Sequence, residues 1–218
     1  MRKLITLTVA VMLIYAFNAC NSSSPSPQTF CDTTCDNDTL KFVGKHSLQP
    51  YIYISFNNCN PDTLLWSYNG MGVNRKMGFS DLFSPGIKLN TNYIHCVFND
   101  TSYAWLMFND CSYGRGYYLK IPFNKSSNIG RSGRAINNLD KKFPVDESMV
   151  AYTDRGNIFV EDMKTGKKAM MTFGKEIDMD PDDIHSSIDS VNISPSRIWA
   201  KVKIDGEWKT LEKSITLQ

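Results

Sequence analysis

The chain has 218 residues, of which 42% are hydrophobic and 12% aromatic, which is enough apolar material for a core of ordinary size. Its 24 lysines and arginines nearly balance its 22 aspartates and glutamates, so the formal net charge is only +2. A chain so close to neutrality has no broad basic field of the kind that nucleic-acid-binding proteins use, and its composition argues against a nucleic-acid partner.

The N-terminus has the pattern of a secretory signal. Two basic residues precede an apolar run over residues 4–17, which is shorter than the roughly 20 residues of a membrane-spanning helix. The run leads into Phe17-Asn18-Ala19-Cys20, which resembles the lipobox of bacterial prolipoproteins, although its first two residues depart from the usual pattern. The resemblance implies cleavage before Cys20 and lipid attachment to its sulfur. The alternative is an ordinary signal cut near Ala19, with Cys20 in a disulfide.

The residues after the signal predict a tether. Residues 21–27 are rich in serine and proline, so they suit a flexible spacer that holds a folded domain away from a membrane. We therefore divide the chain into a signal peptide (1–19), a lipidated cysteine with its tether (20–38) and a folded domain (39–218). The resemblance to prolipoproteins of Bacteroidetes-type bacteria implies a location in the cell envelope, with the membrane as a partner through the lipid anchor. No acidic residue follows Cys20 before Asp32, which favours a periplasm-facing protein over a surface-exposed one.

Six cysteines occur, at positions 20, 31, 35, 59, 96 and 111. If Cys20 is lipidated, the remaining odd number leaves a thiol that is free or bonded to another chain. Cys31 and Cys35 have a spacing that could form half a zinc site, but no second cysteine or histidine pair completes one. We expect instead that disulfides tie the N-terminal arm to the first strands, with a connectivity that the sequence does not give.

From residue 39 onward the pattern indicates strands separated by turns, without an amphipathic helix. Four stretches predict β-hairpins, and the clearest is the third, in which Asp154-Arg155-Gly156-Asn157 forms the turn. The first two hairpins share a signature, Phe56-Asn57-Asn58-Cys59 and Phe108-Asn109-Asp110-Cys111. The predicted hairpins are residues 50–68, 103–121, 148–166 and 196–211. Further strands are expected around them, at 40–43, 77–82, 93–98, 129–136, 139–145, 169–173, 188–193 and 214–217.

Strand units that recur about every 40–50 residues are typical of β-propeller blades. Residues 191–199 resemble the strand, Ser-Pro turn and strand entry of TolB-like and WD40-like repeats, and residues 152–166 resemble the middle of such a blade. We therefore predict an all-β, propeller-like fold with about four blade units. Such a set either closes into a small propeller or pairs with another chain. The alternative is a β-sandwich, whose strands recur with similar turns.

The most distinctive polar stretch is acidic. Asp178, Asp180 and Asp182 have the 1, 3, 5 spacing of a calcium loop, and Asp189 falls at position 12. Asp183 stands where such a loop needs glycine at position 6, and no helices are predicted on either side. The sequence therefore predicts either a calcium site at these four aspartates or a solvated acidic loop that needs no cofactor.

Between residues 120 and 142 the bias is basic, and Arg131 and Arg134 lie in a flexible, donor-rich segment that suits an anionic ligand. The alternative is a solvated loop that faces the acidic stretch.

Among the many aromatic residues, Tyr113, Tyr117 and Tyr118 surround a glycine-rich turn, so they are the candidates for exposed contacts to a sugar, whereas most others are expected in the core.

No motif for nucleophilic or metal-dependent hydrolysis is present, and the three histidines are isolated. The paired carboxylates of a glycosidase come from distant strands and would leave no local pattern. The sequence therefore does not favour an enzyme, but it does not exclude one. The sequence favours a lipid-anchored envelope protein that acts as a binding or scaffolding module through a protein or glycan partner. The alternative is a glycan-binding or glycan-active envelope protein, with calcium as a stabilising ion.

Overall fold

The structure is a computed structural model, and it describes Phe30 and residues 37–218. Its strands form four antiparallel sheets, and within each sheet strands adjacent in sequence are adjacent in space. Sheet 1 contains β1 (Leu40–Val43), β2 (Tyr51–Asn57), β3 (Asn60–Ser67) and β4 (Arg75–Gly78), and sheet 2 contains β5 (Ile94–Asn99), β6 (Tyr103–Asn109), β7 (Gly116–Pro122) and β8 (Gly130–Ser132). Sheet 3 contains β9 (Ala135–Ile136), β10 (Met149–Asp154), β11 (Asn157–Asp162) and β12 (Lys168–Thr172), and sheet 4 contains β13 (Ile188–Ser194), β14 (Arg197–Ile204) and β15 (Glu207–Ser214).

The protein is therefore all-β, as predicted, and each of the four predicted hairpins is present, one in each sheet. Helical structure in the described residues is limited to α1 (Phe79–Leu82) and two 3-10 turns, Thr91–Tyr93 and Ile184–Ser186. None of these helices is long and apolar enough to span a membrane.

The turn of the third hairpin shows why this sequence forms it. Arg155 and Gly156 have φ values of 45° and 83°, the left-handed pair that a two-residue hairpin turn requires. A Cβ atom on Gly156 would lie 2.2 Å from the carbonyl oxygen of Lys175, so glycine is required here for space as well as for its backbone conformation.

The edge strands differ from the sequence prediction. The strand expected at 77–82 ends at Gly78, where the chain enters α1, and the strand expected at 129–136 is split into β8 and β9, which belong to different sheets. No strand forms at 214–217 after β15, although Gln218 exchanges two backbone hydrogen bonds with Lys168, at 2.9 and 3.0 Å. Edge segments have fewer pairing partners than central strands, so tertiary contacts decide their course more than their own pattern does.

The weak strand expected at 139–145 is also absent as a member of sheet 3, because β9 takes that place. Its last residues lie beside sheet 4 instead, where Val145 forms a parallel bridge with Ile193. The backbone N–H of Ile193 donates to the carbonyl of Pro144 at 2.9 Å. This segment therefore links sheets 3 and 4.

The sheets stack face to face in chain order. Sheets 1 and 2 enclose one core, which includes Trp66 and Leu64 from sheet 1 and Phe108 and Leu119 from sheet 2. Since successive strand residues point to opposite faces, Trp105 and Met107 project from the other side of sheet 2, where they contact Val150 and Met163. A third core lies between sheets 3 and 4, and its fully buried members include Ala151, Ile158, Ile198, Ala200 and Val202.

The two ends of this stack are open. On the outer face of sheet 1, the rings of Tyr51 and Tyr53 stack at 4.6 Å, and on the outer face of sheet 4, Trp208 is 44% exposed. Among the described residues, no hydrophobic cluster joins sheet 1 to sheet 4. Sheets 2 and 3 are thus covered on both faces, and sheets 1 and 4 on one.

The N-terminal arm touches the first two sheets. Phe30 is buried, and its ring meets that of Tyr93 edge-on at 5.3 Å. At the other end of the arm, the side-chain oxygen of Asn37 accepts a hydrogen bond from the N–H of Cys59 at 3.1 Å. Cys59 and Cys111 each take part in a disulfide bond. These contacts agree with an arm held to the first strands, while Cys31 and Cys35 lie outside the described residues.

Cys96, on β5, is a free thiol. Burial raises its pKa well above the ordinary range, so the thiol stays protonated and unreactive at neutral pH.

Candidate ligand-binding groove

A groove of about 550 Å³ lies where α1 and the turn after it approach sheet 2. One wall is formed by residues 80–85, and the other by Arg115, Tyr117 and residues 131–133. The volume falls within the range of roughly 300–1,000 Å³ that is common for small-molecule sites. The groove is therefore large enough for a ligand of one or two sugar rings.

Arg131, on β8, is held in place by backbone carbonyls. Its Nη1 donates to the carbonyl oxygen of Asp81 at 2.8 Å and to that of Leu82. Both carbonyls belong to the last turn of α1, which has no intrahelical donors to satisfy them. The Nε and Nη2 donors of Arg131 form no hydrogen bond with any described residue, so they remain available on the wall of the groove.

Arg115 lies just before β7 and is fixed in a similar way. Its Nε donates to the carbonyl oxygen of Gly133 at 2.6 Å, and its Nη1 pairs with Asp182 at 3.3 Å. The guanidinium group lies 5.3 Å from the centre of the Tyr117 ring, a cation–π distance. A Cβ atom on Gly133 would lie 2.9 Å from Nη2 of Arg115, so the absence of a side chain there gives the arginine its room.

Tyr117 was predicted to be exposed, but this prediction is wrong: the residue is only 8% exposed, and its ring is packed against other aromatic rings. It stacks on Phe108 at 5.1 Å and meets Phe83 edge-on at 5.0 Å. Burial raises the pKa of the Tyr117 hydroxyl, and the positive charge of Arg115 opposes this rise only in part. The hydroxyl therefore stays protonated at neutral pH and can both donate and accept a hydrogen bond.

The rest of the lining combines polar and apolar groups. Ser80, Ser84 and Ser132, which carry hydroxyls, and Asp81, which carries a carboxylate, are also lining residues. The apolar part of the same wall is formed by Phe83 and Pro85. The groove thus presents two fixed cations, one anion, several hydroxyls and a small apolar surface.

Two of the residues that the sequence predicts as ligand contacts lie together in this groove. Arg131 and Tyr117 line the groove as candidates for ligand contact, whereas Arg134 points to a carboxylate of β10 at 3.6 Å and does not line it. Tyr113 is 69% exposed, as expected, but it is not part of the lining either. Arg115 was missed because a single arginine between two glycines carries no signal of its own beside a cluster of tyrosines.

Three of the four aspartates of the predicted calcium loop have partners within the protein. Asp182 pairs with Arg115, and Asp189 pairs with Lys142 at 3.5 Å and with Lys201 at 3.2 Å. Asp180 accepts a hydrogen bond from the N–H of Asp182 at 2.9 Å. In the described part of the chain, no three histidine, cysteine, aspartate or glutamate side chains converge as metal ligands. Asp178 therefore belongs to no such group. The Lys142–Asp189 pair joins the basic segment to the acidic one.

A second charged cluster lies between sheets 2 and 3. Glu161 is nearly buried, and its two oxygens accept from Lys120 at 2.7 Å and from Lys168 at 3.2 Å. The Lys120 ammonium also lies over the rings of Tyr103 and Trp105, at 4.6 and 4.8 Å from their centres. Each charge of this cluster has a partner within the protein, and Trp105 is 1% exposed, so the cluster is part of the interface rather than a ligand site.

His185 and Asp140 form the closest approach to a catalytic pair. The distance between Nε2 of His185 and Oδ2 of the buried Asp140 is 2.7 Å, and Phe143 stacks on the imidazole at 4.7 Å. Nδ1 of His185 is buried without a hydrogen-bond partner in the described residues. No hydroxyl or thiol from the described residues bonds to the ring.

Comparisons of the chain with protein families, with curated proteins and with solved structures found no match. The groove is therefore interpreted from its own residues. Cys20, the predicted site of lipid attachment, lies outside the described residues.

Proposed function

We propose that this protein is a lipid-anchored cell-envelope protein that acts as a binding module, with the Arg115–Arg131 groove as its ligand site. The observation that carries the proposal is the state of the two arginines. Each is oriented by backbone carbonyls, yet each retains donors on the groove wall that no described residue uses. Side chains that are already ordered lose little conformational entropy when a ligand binds, which favours a binding role.

We also infer that the four sheets are blade-like units of a propeller-like repeat in an open arrangement. Three features support this inference: each unit is an antiparallel meander of three or four strands, the units follow chain order, and they pack face to face. In a closed propeller the outer faces of sheets 1 and 4 would meet. In this protein both faces carry aromatic side chains, half-buried on sheet 1 and exposed on sheet 4, and no cluster of described residues joins them, so closure would require another chain.

Glycan binding is the second candidate function. The groove places the apolar surfaces of Phe83 and Pro85 close to several hydroxyls, a combination that suits the alternating apolar and polar faces of a sugar ring. The stacked pair of Tyr51 and Tyr53 on the outer face of sheet 1 provides a second aromatic surface. A plain scaffold would have no need of the unused arginine donors.

The envelope location is tested by Cys20→Ala in the full precursor, expressed in a bacterium that processes lipoproteins. We expect the natural chain to incorporate labelled palmitate and to sediment with membranes, and the variant to lose the label and become soluble. Cys96→Ala is the matched control, because Cys96 lies within sheet 2 and its loss leaves the signal intact. A Cys20→Ala variant that still sediments with membranes, together with a natural chain free of palmitate, would refute the lipid anchor.

The binding role is tested by measuring the melting temperature of the protein against a panel of saccharides and small anions. We expect at least one compound to raise the midpoint in a concentration-dependent manner, since a ligand that binds only the folded state stabilises it. Arg131→Gln should remove this rise. A rise that is equal in the variant would mean that binding occurs away from the groove.

A further inference from the structure

We propose that the ligand of the groove is an acidic saccharide, whose carboxylate binds between Arg115 and Arg131 and whose sugar ring lies against Phe83, Pro85 and Tyr117. The proposal rests on the groove being the binding site, and it adds the chemical class of the ligand. The positive charges, the hydroxyls and the apolar surface in the groove each favour this class.

The positive side of the groove matches a single carboxylate. Arg131 retains Nε and Nη2, and Arg115 retains Nη2, after their bonds to the protein are satisfied. A guanidinium presents planar pairs of N–H groups, which fit the two oxygens of a carboxylate with bidentate geometry. Since both groups are already held by the carbonyls of Gly133, Asp81 and Leu82, the fork is formed before the ligand arrives.

The negative charges of the groove disfavour a phosphate. Asp81 lines the groove, and Asp182 already pairs with Arg115, so two carboxylates offset the two guanidinium groups. Both carboxylates would repel a dianion strongly, and they would repel a monoanion bound at the unused arginine donors less. The single ionised group of a uronic acid therefore suits this balance better than a phosphate ester.

The remaining lining accounts for a sugar rather than a simple carboxylic acid. Asp81 can accept hydrogen bonds from sugar hydroxyls, and the hydroxyls of Ser80, Ser84 and Ser132 can donate to them or accept from them. The neutral Tyr117 hydroxyl, whose pKa is raised by burial, forms no hydrogen bond with the described residues and adds another such group. The volume of about 550 Å³ would accommodate one or two rings.

The test is calorimetric titration of the full chain carrying Cys20→Ala with galacturonic acid, its methyl ester and inorganic phosphate. The ester keeps the ring and the hydroxyls but lacks the charge, so it isolates the contribution of the carboxylate. We expect the acid to bind at least about tenfold more tightly than the ester, which corresponds to the loss of about 1.4 kcal/mol of charged hydrogen bonding. Phosphate should bind more weakly than the acid.

The variants locate the site. Arg131→Gln and Arg115→Lys should each lower the affinity for the acid about tenfold, while Arg134→Gln, whose side chain lies outside the groove, should leave it unchanged. The lysine variant keeps the charge beside Tyr117 and loses the planar fork, so it remains informative if removal of the charge impairs folding. Unchanged melting temperatures in the absence of ligand will show that the variants are folded.

The outcomes separate the two proposals. Equal affinity for acid and ester, or tighter binding of phosphate, would refute the acidic saccharide, and would leave the groove as a binding site if Arg131→Gln still weakened the interaction. Binding of the acid with the same affinity to every variant would refute the groove itself. No binding of the acid at millimolar concentration would also overturn the acidic-saccharide proposal.

Discussion

Two clusters of basic side chains in this protein contain similar groups in different surroundings. Between sheets 2 and 3, Glu161 accepts from Lys120 and Lys168, and aromatic rings cover the Lys120 ammonium. In the groove, Arg115 and Arg131 are held by carbonyls but keep unused donors beside a cavity of about 550 Å³. Charge and burial alone therefore do not define a binding site in this protein. The groove differs from the interface because its arginines have ordered N–H donors that form no hydrogen bond with any described residue.

The largest effect is expected from Trp105→Ala at the interface between sheets 2 and 3. Trp105 is fully enclosed, and its Nε1 donates to the carbonyl oxygen of Met163 at 3.2 Å. Loss of the ring should lower the free energy of unfolding by about 3–5 kcal/mol, because a cavity remains and the Met163 carbonyl keeps only the hydrogen bond from the Tyr103 hydroxyl. Urea denaturation measures this value. Trp208→Ala on the open face of sheet 4 is the control and should cost less than about 1 kcal/mol.

Removal of the charge from Glu161 should have the next largest effect. Glu161→Gln keeps the shape of the side chain but leaves Lys120 and Lys168 without their counter-ion, which should cost about 2 kcal/mol of unfolding free energy. The exposed Glu176 pairs with Arg155 only at 3.9 Å, and Glu176→Gln should change stability by less than about 0.5 kcal/mol. Equal stabilities of the two variants in urea denaturation would show that the cluster between the sheets contributes nothing beyond a surface pair.

A smaller, pH-dependent effect is expected at the turn after β11. The N–H and hydroxyl of Thr165 donate to Asp162 at 2.6 and 2.7 Å, and the N–H of Lys164 adds a weaker bond, which together lower the pKa of the carboxyl. Since the pKa is lower in the folded state than in the unfolded chain, the stabilisation is complete above the unfolded value of about 3.9 and is lost as the pH falls through the folded value.

Asp162→Asn should therefore lower the melting temperature at pH 7, and the difference from the natural chain should shrink steadily below about pH 4. The melting temperatures of both chains across this range provide the measurement. Asp100→Asn is the control. Asp100 also lies in a hairpin turn, but no described residue donates a hydrogen bond to its carboxylate. A difference for Asp162→Asn that stayed constant down to pH 2 would contradict the role of the ionised carboxylate.

The smallest effect is expected from calcium. Because Asp182 and Asp189 already pair with Arg115, Lys142 and Lys201, a cation would have to displace three ion pairs. We expect the melting temperature to change by less than about 1 °C between excess calcium and chelator. A rise of several degrees with calcium, lost in Asp180→Asn, would instead establish the calcium site that the aspartate spacing predicts.

The sequence was informative wherever a structural feature depends on neighbouring residues. The hairpin turn at Arg155-Gly156 and the alternation of Trp105 and Met107 with Leu106 and Phe108 fix strands and faces locally, so the central strands were predicted well. The edge segments were not, because β8 and β9 share one predicted strand whose two halves pair with different sheets.

The groove was only partly predictable for a related reason. Arg131 was recognised from its basic, glycine-rich segment, but its partners, the carbonyls of Asp81 and Leu82, lie about 50 positions earlier in the chain. The orientation of Arg115 is set by its contacts to Gly133 and Asp182. No local sequence pattern predicts these two contacts. Sites of this kind appear only when the topology brings distant segments together.

We propose that this protein binds its ligand in the groove rather than on the aromatic face of sheet 1. A crystal structure of the full chain carrying Cys20→Ala, grown with galacturonic acid, would show which of the two surfaces holds the ligand. We predict a carboxylate of the ligand within about 3 Å of Nη2 of Arg131, with a sugar ring against Phe83. Sugar density on the Tyr51–Tyr53 face of sheet 1, with the groove unoccupied, would contradict it.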